Sequence, residues 1–213
     1  MYLTSKCQLN CDFCFMNDLI RGSNNSIPVN KALKIIDMFV DNGIESISLL
    51  GGEPLLYEEI LSICEFIESK KVHFTITTNG ILLNEKFLRS LSKFSYLKLA
   101  FSVINIKESN NMYGNKMLKN IKKNIGLASK MGIRTSINTV LINQKIEDLV
   151  EIVDFCNENN IERYSMATFA NVETRAKVTL SINDCINFYL KLSDYVNKNK
   201  YNIDLALEGC MIY

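Results

Sequence analysis

Three cysteines, Cys7, Cys11 and Cys14, stand in one short stretch near the start of the chain with the spacing C-x3-C-x2-C. Thiolates are soft ligands that select zinc, copper(I) or iron-sulfur clusters over hard cations. A closed structural zinc site needs four protein ligands, and no second cysteine pair or histidine pair follows. Cys64, Cys156, Cys185 and Cys210 are singletons, and His73 is the single histidine. Iron-sulfur clusters are normally held by four thiolates, so three in one loop leave one iron open to a substrate or cofactor. A second stretch, Gly51-Gly52-Glu53-Pro54, reads two ways. It is a tight turn stiffened by proline, or a place where backbone carbonyls come close enough to a ligand to accept hydrogen bonds from an ammonium.

These residues need elements to position them, and the hydrophobic pattern supplies a regular alternation. Tyr2 to Ser5 is a short strand feeding the cysteine loop, and residues 21–26 form a polar loop. After Pro28, Leu33, Ile36, Phe39 and Val40 recur at helical spacing, and Asn42-Gly43 supplies the stop. Ser46 to Leu50 reads as a buried strand ending in the glycine turn, and Leu56, Ile60, Ile63, Cys64 and Ile67 form the next helical stripe. Strands follow around Val72 to Ile76, Tyr96 to Ser102, Ile133 to Val140 and Ile161 to Thr168. Helices lie between them, with Asn84 and Ser181 as N-caps of two. Ile203 to Leu207 reads as one more strand. Cys64, Cys156 and Cys185 fall in apolar stripes and read as core, and His73 reads as a packed residue in mid-strand.

Six successive βα units imply a parallel sheet with right-handed crossovers, either a doubly wound open sheet or a barrel. Cys7, Glu53, Asn79, Ser102 and Thr139 all fall at or just after the C-terminal ends of successive strands. Barrel sites gather on that rim, which favours the barrel.

Composition narrows the function classes. A chain of 213 residues, 47% hydrophobic and without a continuous apolar span, suits one soluble globular domain and not a membrane protein. A net charge of +1 gives no broad electrostatic footprint for nucleic acid or an anionic bilayer. Scattered cysteines, with no room for a signal peptide ahead of Cys7, point to a reducing, cytoplasmic setting.

The cysteine loop, with Phe13 just before its last cysteine, resembles the cluster loop of the radical S-adenosylmethionine (SAM) superfamily. Gly51-Gly52-Glu53-Pro54, one βα unit later, is similar to that family's GGE motif. The resemblance implies an α/β fold, a partial (β/α)6 TIM-like barrel open on one side, with residues 1–213 as one radical SAM core domain. It also implies site roles. Cys7, Cys11 and Cys14 would hold a [4Fe-4S] cluster whose open iron chelates SAM, with Phe13 beside the adenine. Gly51, Gly52 and Glu53 would hold the methionine amino group, so that changing Gly52 or Glu53 weakens SAM binding and leaves the iron in place. Ser102 would contact the ribose, although Val103-Ile104-Asn105 departs from the family's continuation there. The backbone at Met166 would meet the adenine, and Lys116 stands where relatives place an arginine for the SAM carboxylate.

The implied reaction is reductive cleavage of SAM to a 5′-deoxyadenosyl radical that abstracts hydrogen, fed by an electron donor such as flavodoxin or ferredoxin. Motif style and the segment Thr174-Arg175-Ala176-Lys177 lean toward peptide or protein modification. The alternatives are a viperin-like enzyme acting on a nucleotide or small molecule, and a non-catalytic metal-binding module, against which the glycine turn argues. The chain ends on Gly209-Cys210-Met211-Ile212-Tyr213, and this apolar end reads as that of an incomplete enzyme. Relatives of the SPASM or twitch type place the first ligand of an auxiliary iron-sulfur cluster near the position of Cys210. The alternative is that Cys210 is an ordinary buried thiol.

Overall fold

The computed structural model describes residues 1–14, 25–107, 114–168 and 179–209. Cys210 and the segment 174–177 lie outside them, as do residues 21–24 of the expected loop. Six strands, β1 (Ser46–Leu49), β2 (His73–Thr78), β3 (Leu97–Ser102), β4 (Arg134–Leu141), β5 (Arg163–Thr168) and β6 (Asp204–Glu208), form one sheet. Every neighbouring pair is parallel. Among the described residues six α-helices alternate with them: α1 (Val29–Asp41), α2 (Ile60–Ser69), α3 (Glu85–Leu91), α4 (Asn115–Lys130), α5 (Ile146–Glu158) and α6 (Ile182–Asn199). The two expected N-caps form: Asn84 Oδ1 accepts from Phe87 N at 3.0 Å, and Ser181 Oγ accepts from Asp184 N at 3.2 Å.

Strand order settles the choice that periodicity left open. The sheet runs β1-β2-β3-β4-β5-β6 without a reversal. A doubly wound sheet needs a switch point, whereas crossovers of one hand that all step the same way put every helix on the same face. The result is the curved, open arrangement of a partial barrel. The expected first strand is reduced to a short parallel attachment beside β1, in which Leu3 N donates to Leu50 O and Leu50 N to Met1 O, both at 2.8 Å.

The two faces of the sheet differ in chemistry, because side chains alternate along a strand. Leu49, Ile76, Leu99, Phe101, Ile137 and Met166 share the helix-covered face, and each is fully buried. The opposite face carries Thr75, Thr77, Lys98, Ser102, Asn138 and Arg163, all partly exposed. It lines a polar lumen. His73 opens β2 and is exposed, with its ring edge-on to Tyr96 at 5.3 Å, so it is not the packed mid-strand residue expected. Cys64, Cys156 and Cys185 are buried in helices, as their apolar stripes suggested.

Tyr164 on β5 is fully buried beside Thr139, whose own proton goes to Val103 O at 2.7 Å. By distance and angle its hydroxyl makes no hydrogen bond among the described residues; burial, the largest influence, pushes its pKa up, and the nearby Thr139 hydroxyl pulls the other way. Removing an unpaired buried hydroxyl relieves a desolvation cost. Tyr164→Phe should therefore raise the unfolding free energy by about 1 kcal/mol in urea titration. Among the described residues no helix is long and apolar enough to cross a membrane.

Candidate active site

The site is assembled where the N-terminal segment runs against the exit of β1. Gly52 N donates to Thr4 O and Glu53 N to Lys6 O, each at 2.7 Å, so the glycine turn is bonded to the residues that lead into Cys7. The packing there is tight. A Cβ on Gly51 would lie 2.6 Å from Thr4 O, and one on Gly52 would overlap the Lys6 carbonyl and sit 2.7 Å from Ser5 O. Real Cβ atoms do not approach backbone that closely, so both positions require glycine for the approach of one chain segment to another. A change at Gly52 therefore pushes on the backbone that carries Cys7, in addition to any effect on SAM.

Glu53 ties this turn to the next strand. It is 1% exposed, and its Oε1 accepts from Thr78 Oγ1 at 2.7 Å and Leu55 N at 3.1 Å, while Oε2 accepts from Asn79 N at 2.9 Å. Burial raises its pKa, and these hydrogen bonds act in the opposite direction. Asn79 Oδ1 in turn accepts from Gln8 Nε2 of the cysteine loop at 3.1 Å and from Ile81 N at 3.0 Å. Glu53, Thr78, Asn79 and Gln8 thus lock three chain segments together at one end of the sheet. Sequence reasoning marked Glu53 and Asn79 but missed Thr78 and Gln8, because a threonine in a strand and a glutamine in a loop carry no signal of their own.

The three thiols are half-buried in that corner. Cys14 N donates to Cys11 O at 3.2 Å, which bends the loop back, and Phe13 lies half-buried in the same turn. Leu9 N donates to Cys7 Sγ at 3.4 Å. Burial raises the Cys7 pKa first of all, and the charges of Glu53 and Cys14 add to this. The Cys11 pKa is pushed up to about 12 by burial and by the charges of Cys7 and Cys14. Thiols that feel one another in this way need positive charge to be held together as thiolates, which iron supplies. Among the described residues no three His, Cys, Asp or Glu side chains close on a single metal ion. Three soft donors in one loop are one short of a closed zinc site, and they fit a cluster in which each thiolate would take a different iron and one iron would stay open.

The remaining expected residues divide by face. Ser102 ends β3 on the lumen side, in register with Asn138. The altered continuation after it is firmly held: Val103 N donates to Asn138 O at 2.9 Å and Lys107 N to Asn105 Oδ1 at 2.7 Å. Met166 points its side chain into the helix-covered core, so only its backbone is left for the role expected of it. Thr139 sits on that same covered face, two residues inside the end of β4, and not on the rim. Lys116 is exposed in the first turn of α4.

Comparison with known proteins agrees with this geometry. The family model described as the radical SAM superfamily matches residues 1–156. A GTP 3′,8-cyclase of Synechocystis sp. is 32% identical over 159 residues, which are 70% of this chain and 48% of that protein. The GTP 3′,8-cyclase of Helicobacter pylori is 24% identical over 186 residues, covering 83% of this chain and 57% of its own. Among solved structures, Streptococcus suis SuiB bound to S-adenosylmethionine superposes with a TM-score of 0.89 at 30% identity, over 98% of this chain and 49% of SuiB. SuiB bound to the precursor peptide SuiA gives a TM-score of 0.90 at 31% identity, over 98% and 48%. The chain spans about half the length of these relatives.

Proposed function

Since the chain belongs to the radical SAM superfamily, we propose that it is the core of an enzyme that cleaves SAM reductively and uses the radical to modify a peptide. One observation carries the site assignment: the cysteine loop, the glycine turn and the end of β2 are joined by named hydrogen bonds at one end of the sheet. Cys7, Cys11 and Cys14 would hold the [4Fe-4S] cluster, and the carbonyls of Gly51 and Gly52 would accept from the SAM ammonium. Phe13 and the Met166 backbone would flank the adenine, and Ser102 the ribose. Glu53 is spent on fixing the turn, so it acts as a positioning residue. A cluster held there would supply one electron for cleavage of SAM to methionine and a 5′-deoxyadenosyl radical able to abstract hydrogen. The protein's part is to fix SAM against the cluster and keep water away from the lumen. No acid-base pair is required of its side chains.

The preference for a peptide rests on the extent of the match to SuiB, which runs through β6, whereas the Synechocystis cyclase aligns over 70% of the chain. The second reading, a nucleotide substrate, is favoured by the names of those cyclases. A flavodoxin or ferredoxin would deliver the electron in the cytoplasm. The test is anaerobic reconstitution with iron and sulfide, addition of SAM and dithionite, and chromatography for 5′-deoxyadenosine. Formation of the nucleoside is expected, faster with a precursor peptide encoded beside the gene than with GTP. Stimulation by GTP alone would establish the second reading, and no nucleoside at all would remove the assignment.

A further inference from the structure

The lumen face carries a charged group that the cluster end does not use. Lys98 on β3 lies in register with Arg134 on β4, and Ser136 on β4 with Arg163 on β5. Arg163 is already engaged: Nη1 is 2.8 Å from Asp204 Oδ2, Nη2 is 3.6 Å from Glu208 Oε1, and Nε donates to Ser165 Oγ at 3.2 Å. Arg134 lies 4.0 Å from Glu162. Lys98 is half-buried and has no ion-pair partner among the described residues. Burial, and then the charges of Arg163 and Arg134, push its ammonium pKa down, while Glu208 and Glu162 act in the other direction and are outweighed. In the same patch Ser136 is 1% exposed, and its Oγ has no hydrogen-bond partner among the described residues. An unpaired ammonium and an unpaired buried hydroxyl on one polar face are both donors in want of an acceptor.

We propose that Lys98, Ser136 and Arg163 form an anion-binding subsite on the floor of the lumen, which takes a carboxylate or phosphate group of the substrate. Ser136 Oγ–H and the Lys98 ammonium donate to the anion, and Arg163 adds positive charge held in place by Asp204 and Glu208. The inference rests on the lumen being the substrate chamber of the proposed enzyme. Lys98 lies four residues before Ser102 on the same strand, about 13 Å below the rim at the usual rise of a strand. A free amino acid does not span that depth, whereas an extended peptide of a few residues or a nucleoside triphosphate does.

The test is calorimetry on the reconstituted full chain with SAM and without reductant. Three probes are titrated: inorganic tripolyphosphate, acetylated and amidated tri-glutamate, and the neutral tri-glutamine equivalent. At least one anion should bind and the neutral peptide should not, and the anion that binds identifies the source as phosphate or carboxylate. Lys98→Met should weaken that binding at least tenfold and Ser136→Ala several-fold, while Lys98→Arg stays within threefold of the parent. Lys98→Gln replaces Lys98→Met if the latter melts early. Absence of anion binding in the parent protein, or equal binding in Lys98→Met, overturns the subsite. The experiment needs no reductive chemistry, so failure of 5′-deoxyadenosine formation would strike the proposed function and leave this result standing.

Discussion

Replacing Cys7, Cys11 or Cys14 singly with alanine should lower the iron and sulfide bound after anaerobic reconstitution by more than tenfold and abolish the visible absorption of the cluster. The size of the effect follows from the ligand count. A site with four thiolates keeps three after a single loss, but a site that starts with three keeps two, and a cubane held at two corners is open to hydrolysis and oxygen. The control is Cys64→Ala, a thiol that is fully buried in α2 with its pKa pushed up to about 12, chiefly by burial. That variant loses packing and should be less stable by about 1 kcal/mol while keeping its iron. Iron retained in any of the three loop variants at the level of the Cys64 control would take the cluster away from this loop.

Gly52→Val should damage both the fold and iron binding. The new side chain meets the backbone of Ser5 and Lys6, not the flexible end of a side chain, so relief requires the N-terminal segment to move. Movement breaks two hydrogen bonds of 2.7 Å, from Gly52 N to Thr4 O and from Glu53 N to Lys6 O. Overpacking typically costs 1–3 kcal/mol and each lost hydrogen bond roughly 1, so a loss of about 3–5 kcal/mol is expected in urea titration. Because Lys6 is joined directly to Cys7, reconstituted iron should fall in parallel. Ser102→Ala, a change at the end of a different strand, should bind SAM more weakly with its iron intact. A Gly52→Val protein with parental stability and full iron would mean that the close approach is not a constraint, and the original expectation of an effect on SAM alone would return.

Much of this architecture was legible because its signals are local. Apolar periodicity and cap residues located the six described helices and the later strands, and the cysteine spacing placed three thiols in one loop. What could not be read was the face each strand residue takes. Met166 and Ser102 both end up on strands, yet one enters the covered core and the other lines the lumen, and only the register between strands decides this. The short first strand was likewise overestimated, since its pairing partner, Leu50, lies nearly fifty residues away. That the glycine turn also packs against the Thr4–Lys6 backbone was not legible, because that neighbour is equally distant in sequence. Thr78 and Gln8 acquire their importance from partners in other chain segments, and Lys98 and Ser136 from the residues beside them on adjacent strands, none of which their own residue type announces.

The division of the sheet into an apolar face and a polar one bears on how such a chain can change over generations. Residues such as Leu99, Phe101 and Ile137 carry the packing against the helices, while Thr75, Thr77, Val140 and Ala167 alternate with the packed set and contribute little to it. Substitutions confined to the second set should cost less folding free energy than those in the packed set, so a chain with an altered lumen lining can still fold. A library randomised at those four positions should therefore stay largely folded, while one randomised at the three packed positions should not. The same separation lets drift in the chamber accumulate without rescue mutations elsewhere, which is how sequence can diverge widely within one backbone plan.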